Sequence, residues 1–340
     1  MGTIPPNRIG MNRRTFLQII AVAGAAGSLR FFPWDPTDTA YHVVRKSQPM
    51  MGTVLNLIVC SRDRDQAEMA VTATTQRMLA IENKLSRFRN ASEVAELNRT
   101  GTLARASDEL LAVLDLADLI HKKSAGAFDI TVLPLLDLYQ QETHPLMVRQ
   151  ALLEERERLV GQQHLQIHGR QVKFSETGMG ITLDGIGKGY IVDAGTTSLL
   201  NHGFEQVYVE AGGDLLVKGG KPHGAPWKIG IRNPRPQTTR ELIIIEADNL
   251  AVATSGDYFQ PFSPDFSLHH ILNPRTGRSS KELASCTVTA PTTALADALA
   301  TACMVLGGDD AVDLLGEFSD CEGYFVGKDL RIRKTRGFTG

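Results

Sequence analysis

Asp297 and Thr301 stand four residues apart in Ala296-Asp297-Ala298-Leu299-Ala300-Thr301, within a small and apolar stretch from Thr292 to Leu306. At that spacing two side chains share one face of a helix. A carboxylate on an apolar helix is costly to bury unless something neutralises it. A hard cation does so through oxygen ligands, here the Asp carboxylate and the Thr hydroxyl, with phosphate oxygens completing an octahedron. The competing reading is an Asp that caps the helix or bonds a neighbouring loop. On spacing alone, that reading outweighs metal binding.

Further clusters combine glycines with polar residues. Leu183-Asp184-Gly185-Ile186-Gly187-Lys188-Gly189-Tyr190 opens a helix that continues to Leu200. Closely spaced glycines ahead of a helix let backbone amides approach an anion, and the helix N-terminus favours negative charge. Lys188 adds a point charge for a phosphate. A tight strand-to-helix turn needing positive φ accounts for the glycines equally well. Gly126-Ala127-Phe128-Asp129-Ile130-Thr131 and Glu210-Ala211-Gly212-Gly213-Asp214 each set a carboxylate in or beside a turn between apolar runs. Loops on a rigid scaffold bind ligands, yet most such Asp residues simply bond turn amides. In His269-His270-Ile271-Leu272-Asn273-Pro274-Arg275-Thr276-Gly277, a histidine precedes a turn marked by Asn-Pro and Arg-Thr-Gly. Its residue type suits a general base; a hydrogen-bonded surface histidine is the commoner outcome.

The elements that must hold these residues are legible from periodicity. Val54–Val59 reads as a strand after the sharp Met51-Gly52-Thr53. A helix follows from about Asp65 to Ser86, with Val71, Met78, Ile81, Leu85 and Phe88 as its core-facing stripe. A second helix covers Asp108–Lys122, capped by Ser107 or Asp108, with lysines at its C-terminal end. Residues 140–163 are charged and helical in part. From Leu165 the pattern changes to short β runs: Val207–Glu210, Trp227–Arg232, Leu242–Glu246, Leu250–Thr254 and Cys286–Ala290, with helices at 186–201 and 293–306. Strands and helices segregate rather than alternate, which predicts an α+β fold. No GxGxxG follows a strand, so a Rossmann reading lacks its phosphate loop.

Composition narrows the function classes. The chain has 340 residues, 42% apolar and 22% charged, with a net charge of −2. That balance offers no basic face for nucleic acid. Asn12-Arg13-Arg14-Thr15-Phe16-Leu17-Gln18 leads into a short apolar stretch, Phe16 to Leu29, below the ~20 residues of a spanning helix. A charged start, a short apolar run and small residues near Ala21–Ala26 predict a twin-arginine-type export signal over residues 1 to about 30. A buried N-terminal helix is the other reading. The main domain then spans 41–336 and sits in the periplasm or otherwise outside the cytoplasm, with membrane association through an uncleaved signal as a variant. Cys60, Cys286, Cys303 and Cys321 form no CxxC pair, which argues against a cysteine zinc site.

Taken together and in order, Met51–Thr53, Leu85–Phe88, Ala125–Thr131, Leu183–Tyr190, Ala211–Asp214, Ala253–Tyr258, His270–Gly277 and Ala296–Thr301 strongly resemble the ApbE family, the FAD:protein FMN transferases. The resemblance runs from residue 48 to about 327. It implies an α+β fold related to the T-fold, FAD in a central cleft, and Mg²⁺ at the FAD pyrophosphate. By position, Asp297 and Thr301 match the family's side-chain metal ligands, and Gly185 matches a residue whose carbonyl reaches the metal. Met51, Phe88, Ala127, Phe128, Asp129, Lys188 and Ile271 match flavin-contacting positions, and His270 matches the histidine of the family's HxxDP motif, a candidate for activating the acceptor hydroxyl. The chain departs from the pattern at Thr182, where many relatives carry an FAD-contacting Asp, while Asp184 lies two residues later. Asn273 replaces the usual Asp before Pro274, and Phe88 replaces Tyr found in some members.

The reaction implied is transfer of FMN from FAD to a Thr or Ser hydroxyl of an exported acceptor protein, with release of AMP. The resemblance points to flavin-bearing subunits of membrane redox complexes as acceptors. An FAD pyrophosphatase, with water as acceptor, and a non-catalytic periplasmic FAD-binding protein are the alternatives. The last gives no reason for the Asp297–Thr301 pair.

Overall fold

The computed structural model describes residues 41–141, 148–235 and 241–339. The expected export segment lies outside them. β1 (His42–Met50) and β2 (Thr53–Ser61) form a hairpin whose two-residue turn has φ of 53° at Met51 and 70° at Gly52. Two positive φ values in sequence match the right-handed twist of the flanking strands. α1 (Arg64–Leu85) starts at Asp63, whose carboxylate accepts from the Gln66 amide, and buries Val71, Met78, Ile81 and Leu85. Phe88, assigned from the sequence to that stripe, is instead 69% exposed. The helix stops at Leu85, where Ser86 turns extended (φ −78°, ψ 118°), so the periodicity no longer applies three residues on.

α2 (Glu93–Thr100), β3 (Thr102–Leu103) and α3 (Asp108–Lys123) follow, with Ser107 capping α3 through the Leu110 amide. α4 (Leu133–Gln141) and α5 (Gln150–Glu157) precede the short strands β4 (Leu165–His168) and β5 (Gln171–Phe174), which join β3 in a small sheet. α6 (Gly187–Asn201) leads to β6 (Val207–Ala211) and β7 (Asp214–Lys218). Next come the hairpin β8 (Trp227–Arg232) and β9 (Glu241–Ala247), then β10 (Leu250–Gly256) and β11 (Leu283–Ala290). The chain closes with α7 (Thr293–Leu306), α8 (Gly308–Gly316), β12 (Glu322–Gly327) and β13 (Ile332–Lys334).

The main sheet has eight strands in the order β1-β2-β6-β7-β10-β11-β12-β13, and every pairing is antiparallel. This is the α+β arrangement expected. Successive side chains on a strand point to opposite faces, and here both faces are covered. Leu57, Val59, Val209, Ala253, Val288 and Phe325 join the core shared with α1, α6 and α7. Their neighbours Ile58, Tyr208, Val252, Tyr324 and Val326 pack under Trp227, Ile229, Ile231 and Ile245 of the β8–β9 hairpin. Burial on both faces explains why these strands read as apolar runs rather than alternating ones. A third cluster joins Leu135, Leu136, Tyr139 and Leu153 of α4 and α5 to Leu272, which anchors the loop between β10 and β11. All four cysteines are buried free thiols. No described helix is long and apolar enough to cross a membrane.

Candidate active site

The sequence motifs gather at one end of the main sheet. The Gly212-Gly213 turn joins β6 to β7 with φ of 63° and 101°. A Cβ on Gly212 would lie 2.8 Å from Thr53 Oγ1, so this turn and the Met51-Gly52 turn touch. Asp214, at the start of β7, is buried, and its carboxylate accepts from Lys188 Nζ at the first turn of α6. Ser255, near the end of β10, shares a hydrogen bond with Thr301 of α7 (Oγ to Oγ1, 3.1 Å).

Two helix termini meet at this point. A Cβ on Gly189 would fall 2.4 Å from the Thr293 carbonyl oxygen, which explains glycine there: α6 crosses the start of α7 backbone to backbone. Asp193 accepts from the amides of Thr293 and Ala294 (2.7 and 2.8 Å), capping α7 from the neighbouring helix. The crossing brings the Gly189 amide within 3.2 Å of Asp297 Oδ2 and Lys188 Nζ within 3.7 Å of the same oxygen. Gly185 abuts Thr301: a Cβ would sit 2.8 Å from its Oγ1. Asp297, Thr301, Gly185 and Lys188 are therefore side by side.

The electrostatics of this corner are unbalanced. Two buried carboxylates, Asp214 and Asp297, share one ammonium. Burial first, then the charge of Asp214, pushes Asp297 up to about 7, against Lys188 and the Gly189 amide. Burial alone would lower the Lys188 ammonium, but Asp214 and Asp297 outweigh it and hold it above its ordinary value. A further positive charge belongs beside Asp297. The Asp297 carboxylate and the Thr301 hydroxyl, beside the Gly185 backbone, are hard oxygen groups of the kind Mg²⁺ takes. Among the described residues no three His, Cys, Asp or Glu side chains form a metal cluster. The Asp297–Thr301 pair has a different composition, one carboxylate and one hydroxyl.

The other expected positions surround the corner. Thr182 Oγ1 accepts from the Asp184 amide (3.2 Å), and the Thr182 amide donates to the Ile130 carbonyl (2.8 Å), joining the glycine loop to the Phe128–Thr131 segment. Ala127 and Phe128 are buried, and the Phe128 carbonyl lies 2.9 Å from His121 Nδ1. Asp129 faces inward: its Oδ1 accepts from the Thr131 amide and hydroxyl. Met51 is half-buried against the main core. Phe88 is exposed, with the Arg87 guanidinium 4.0 Å from its ring centre. Arg87 also donates to Asp184 Oδ2 (3.1 Å), an ion pair the sequence reading did not anticipate.

The adjacent histidines differ sharply. His269 is fully buried and bonded at both ring nitrogens, to the Ser280 carbonyl (2.9 Å) and the Ile271 amide (3.3 Å). His270 donates its backbone N–H to the Gln260 carbonyl (3.2 Å), but its buried Nδ1 has no hydrogen-bond partner. Burial, reinforced by His269, lowers its pKa to about 4, so the ring is neutral at neutral pH. Ile271 is buried beside it. Arg275, farther along this loop, donates to the Ala125 carbonyl and ties the histidine loop to the Ala127–Phe128 turn. Asp214, Ser255 and Arg87 were missed as partners. All three stand in motifs the sequence singled out, but their contacts are made between elements far apart in the chain, which no local pattern encodes.

The profile of the ApbE family matches residues 51–325. A protein of Vibrio cholerae serotype O1 named FAD:protein FMN transferase is 32% identical over 272 residues, covering 78% of this chain and 81% of its own. Among solved structures, the flavin transferase ApbE from Vibrio cholerae superposes with a TM-score of 0.76 at 28% identity, covering 88% of this chain and 98% of its own. The ApbE protein of Thermotoga maritima gives 0.79 at 28% identity, with coverage of 87% and 97%.

Proposed function

The chain belongs to the ApbE family and acts as an FAD:protein FMN transferase, and we propose that it does so with Mg²⁺, on a Thr or Ser hydroxyl of an exported protein. The observation that carries the metal reading is the Asp297–Asp214–Lys188 corner, short of one positive charge beside Thr301 and Gly185. Asp297, Thr301 and the Gly185 carbonyl would hold the ion. When bound, it neutralises charge on the pyrophosphate oxygens of FAD.

The protein's own residues supply the rest. The acceptor hydroxyl oxygen attacks the FMN-side phosphorus, a new P–O bond forms, and the bond to the AMP oxygen breaks. His270, neutral and with Nδ1 unpaired, takes the hydroxyl proton. Lys188 and the amides opening α6 stand where a phosphate favours them. Met51, Phe88, Ala127, Phe128, Asp129, Thr182 and Ile271 are the proposed flavin-side residues, Asp129 by capping the turn that follows Phe128 rather than through its carboxylate.

Incubating the protein with FAD, Mg²⁺ and candidate exported acceptor domains tests this. The expected result is AMP release with a matching FMN mass gain on the acceptor. Free FMN alone would point to a pyrophosphatase. The acceptor class we propose is a flavin-bearing subunit of a membrane redox complex. Export through Arg13-Arg14 places the enzyme on the side where such domains lie; normal export after changing both to Lys would remove that part of the reading.

A further inference from the structure

Away from the Asp297 corner, a second buried polar cluster lies beneath the histidine loop. Asp257 follows β10 directly and is fully buried, with its carboxylate bidentate on Arg235 (2.9 and 3.1 Å). Lys328, just past β12, places Nζ 3.8 Å from Asp257 Oδ2. The same ammonium donates to the carbonyls of Phe266 (2.9 Å) and Ser280 (3.3 Å). One buried carboxylate thus holds a cation that clamps two peptides of the loop between β10 and β11.

The Ser280 carbonyl is shared. It also accepts from His269 Nε2, which fixes His269 as the tautomer with Nδ1 free to accept. That Nδ1 takes the Ile271 amide, so the His269 ring closes a turn with His270 at its centre. Three more bonds lock the flanks. The His269 amide donates to Ser279 Oγ (2.9 Å), that hydroxyl donates back to the His269 carbonyl (2.7 Å), and the Ser280 amide donates to the Ile271 carbonyl (3.1 Å). His269, Ile271, Ser279 and Ser280 are bonded to one another around His270, while its own Nδ1 is left unpaired.

We propose that His269 is the positioning residue for His270, closing the turn that aims its imidazole, and that the Asp257–Lys328 pair holds this turn through the Ser280 carbonyl. The proposal rests on the transferase reading, and it adds a role for residues outside those assigned to flavin and metal. A base must sit within hydrogen-bond reach of the proton it removes, and a displacement of about 1 Å can cost on the order of 10²-fold.

The test is a double-mutant cycle read by single-turnover AMP release at saturating FAD and Mg²⁺. It uses an exported acceptor domain that gains FMN with the unaltered protein. Lys328→Met is expected to slow transfer about tenfold while FAD affinity stays within about threefold, and Lys328→Arg should recover most of the rate. In a His270→Asn background, Lys328→Met should slow nothing further, because residues acting through one group are non-additive. Equal slowing in both backgrounds would overturn the proposal, as would weakened FAD binding with an unchanged saturated rate. If Lys328→Met melts below the assay temperature, His269→Phe, which leaves the ion cluster intact, carries the same cycle and the same criteria. Failure of the transferase reading would show separately, as an unaltered protein that forms neither AMP nor FMN-acceptor.

Discussion

Asp297 and Asp129 are both buried carboxylates within motifs of the site, and the fold treats them in opposite ways. Asp129 caps a single turn of 3₁₀ helix over Ile130–Val132: its Oδ1 accepts from the Thr131 amide (2.8 Å) and hydroxyl (2.5 Å), and Oδ2 lies 3.5 Å from His121 Nδ1. Asp297 has one long amide bond and part of a lysine that Asp214 holds more closely. The histidines repeat the contrast, His269 bonded at both ring nitrogens and His270 with a buried, partnerless Nδ1. Asp297, Asp129 and His269 are buried, and His270 is half-buried with its Nδ1 inside. What separates scaffold from reacting group is whether the protein itself completes the hydrogen bonds and charge, because a buried group left incomplete costs free energy unless a ligand completes it.

The largest effect is expected at the incomplete carboxylate. Asp297→Ala should reduce AMP release to background, a loss on the order of 10³-fold or more, with an unchanged circular dichroism spectrum. Thr301→Val keeps the shape, removes the ligand oxygen and should be nearly as damaging. Full activity of Asp297→Ala in Mg²⁺ would break the comparison at its strongest point. His270→Asn comes next, slowing single-turnover transfer by about 10²–10⁴-fold with FAD affinity retained. Raising the pH should shrink that defect, as hydroxide competes for the proton. Weak FAD binding with normal transfer at saturation would instead make His270 a flavin support.

The same incompleteness should be visible without any substrate. The Asp297 carboxyl sits at about 7 in the fold against an ordinary value of 3.8. Between about pH 4 and 7 the unfolded chain has released this proton and the folded protein still holds it, so the contribution of this group to stability falls as pH rises. Metal-free Asp297→Asn should therefore melt above the unaltered protein at pH 8, with the gain fading towards pH 4. Melting curves in chelator check this. A gain that grew at acid pH instead would mean that Asp297 is already satisfied within the fold.

The sequence carried the elements whose patterns are local. α7 is found at the residues expected, and the Ser107 cap and the β8 limits follow from side-chain types alone. Phe88 went astray because a helical stripe was extended past the point where Ser86 leaves the helix. Asp214 and Ser255 stood in recognised motifs, yet nothing local says that α6 packs on β7 and α7 on β10, which puts the first beside Lys188 and the second beside Thr301. The Arg87–Asp184 pair joins residues nearly a hundred positions apart. Spacing reveals which residues share a helix face; which of them remain unsatisfied depends on contacts made across the sheet.

Asp129 provides the smallest and most discriminating effect. If its carboxylate is internal scaffold, Asp129→Asn keeps an Oδ1 acceptor for Thr131 and should leave both stability and FAD affinity close to the unaltered protein. Asp129→Ala removes the cap and should cost about 1 kcal/mol, a melting shift of a few degrees at most, with a modest loss of FAD affinity as the Phe128 turn loosens. The two variants separate geometry from charge, since Asn preserves the first and abolishes the second. Thermal melts and flavin-fluorescence titrations of both decide the matter. Suppose Asp129→Asn melts normally but binds FAD many-fold more weakly. The carboxylate would then be touching flavin despite its complete set of internal bonds, and satisfaction within the fold would no longer tell scaffold from site.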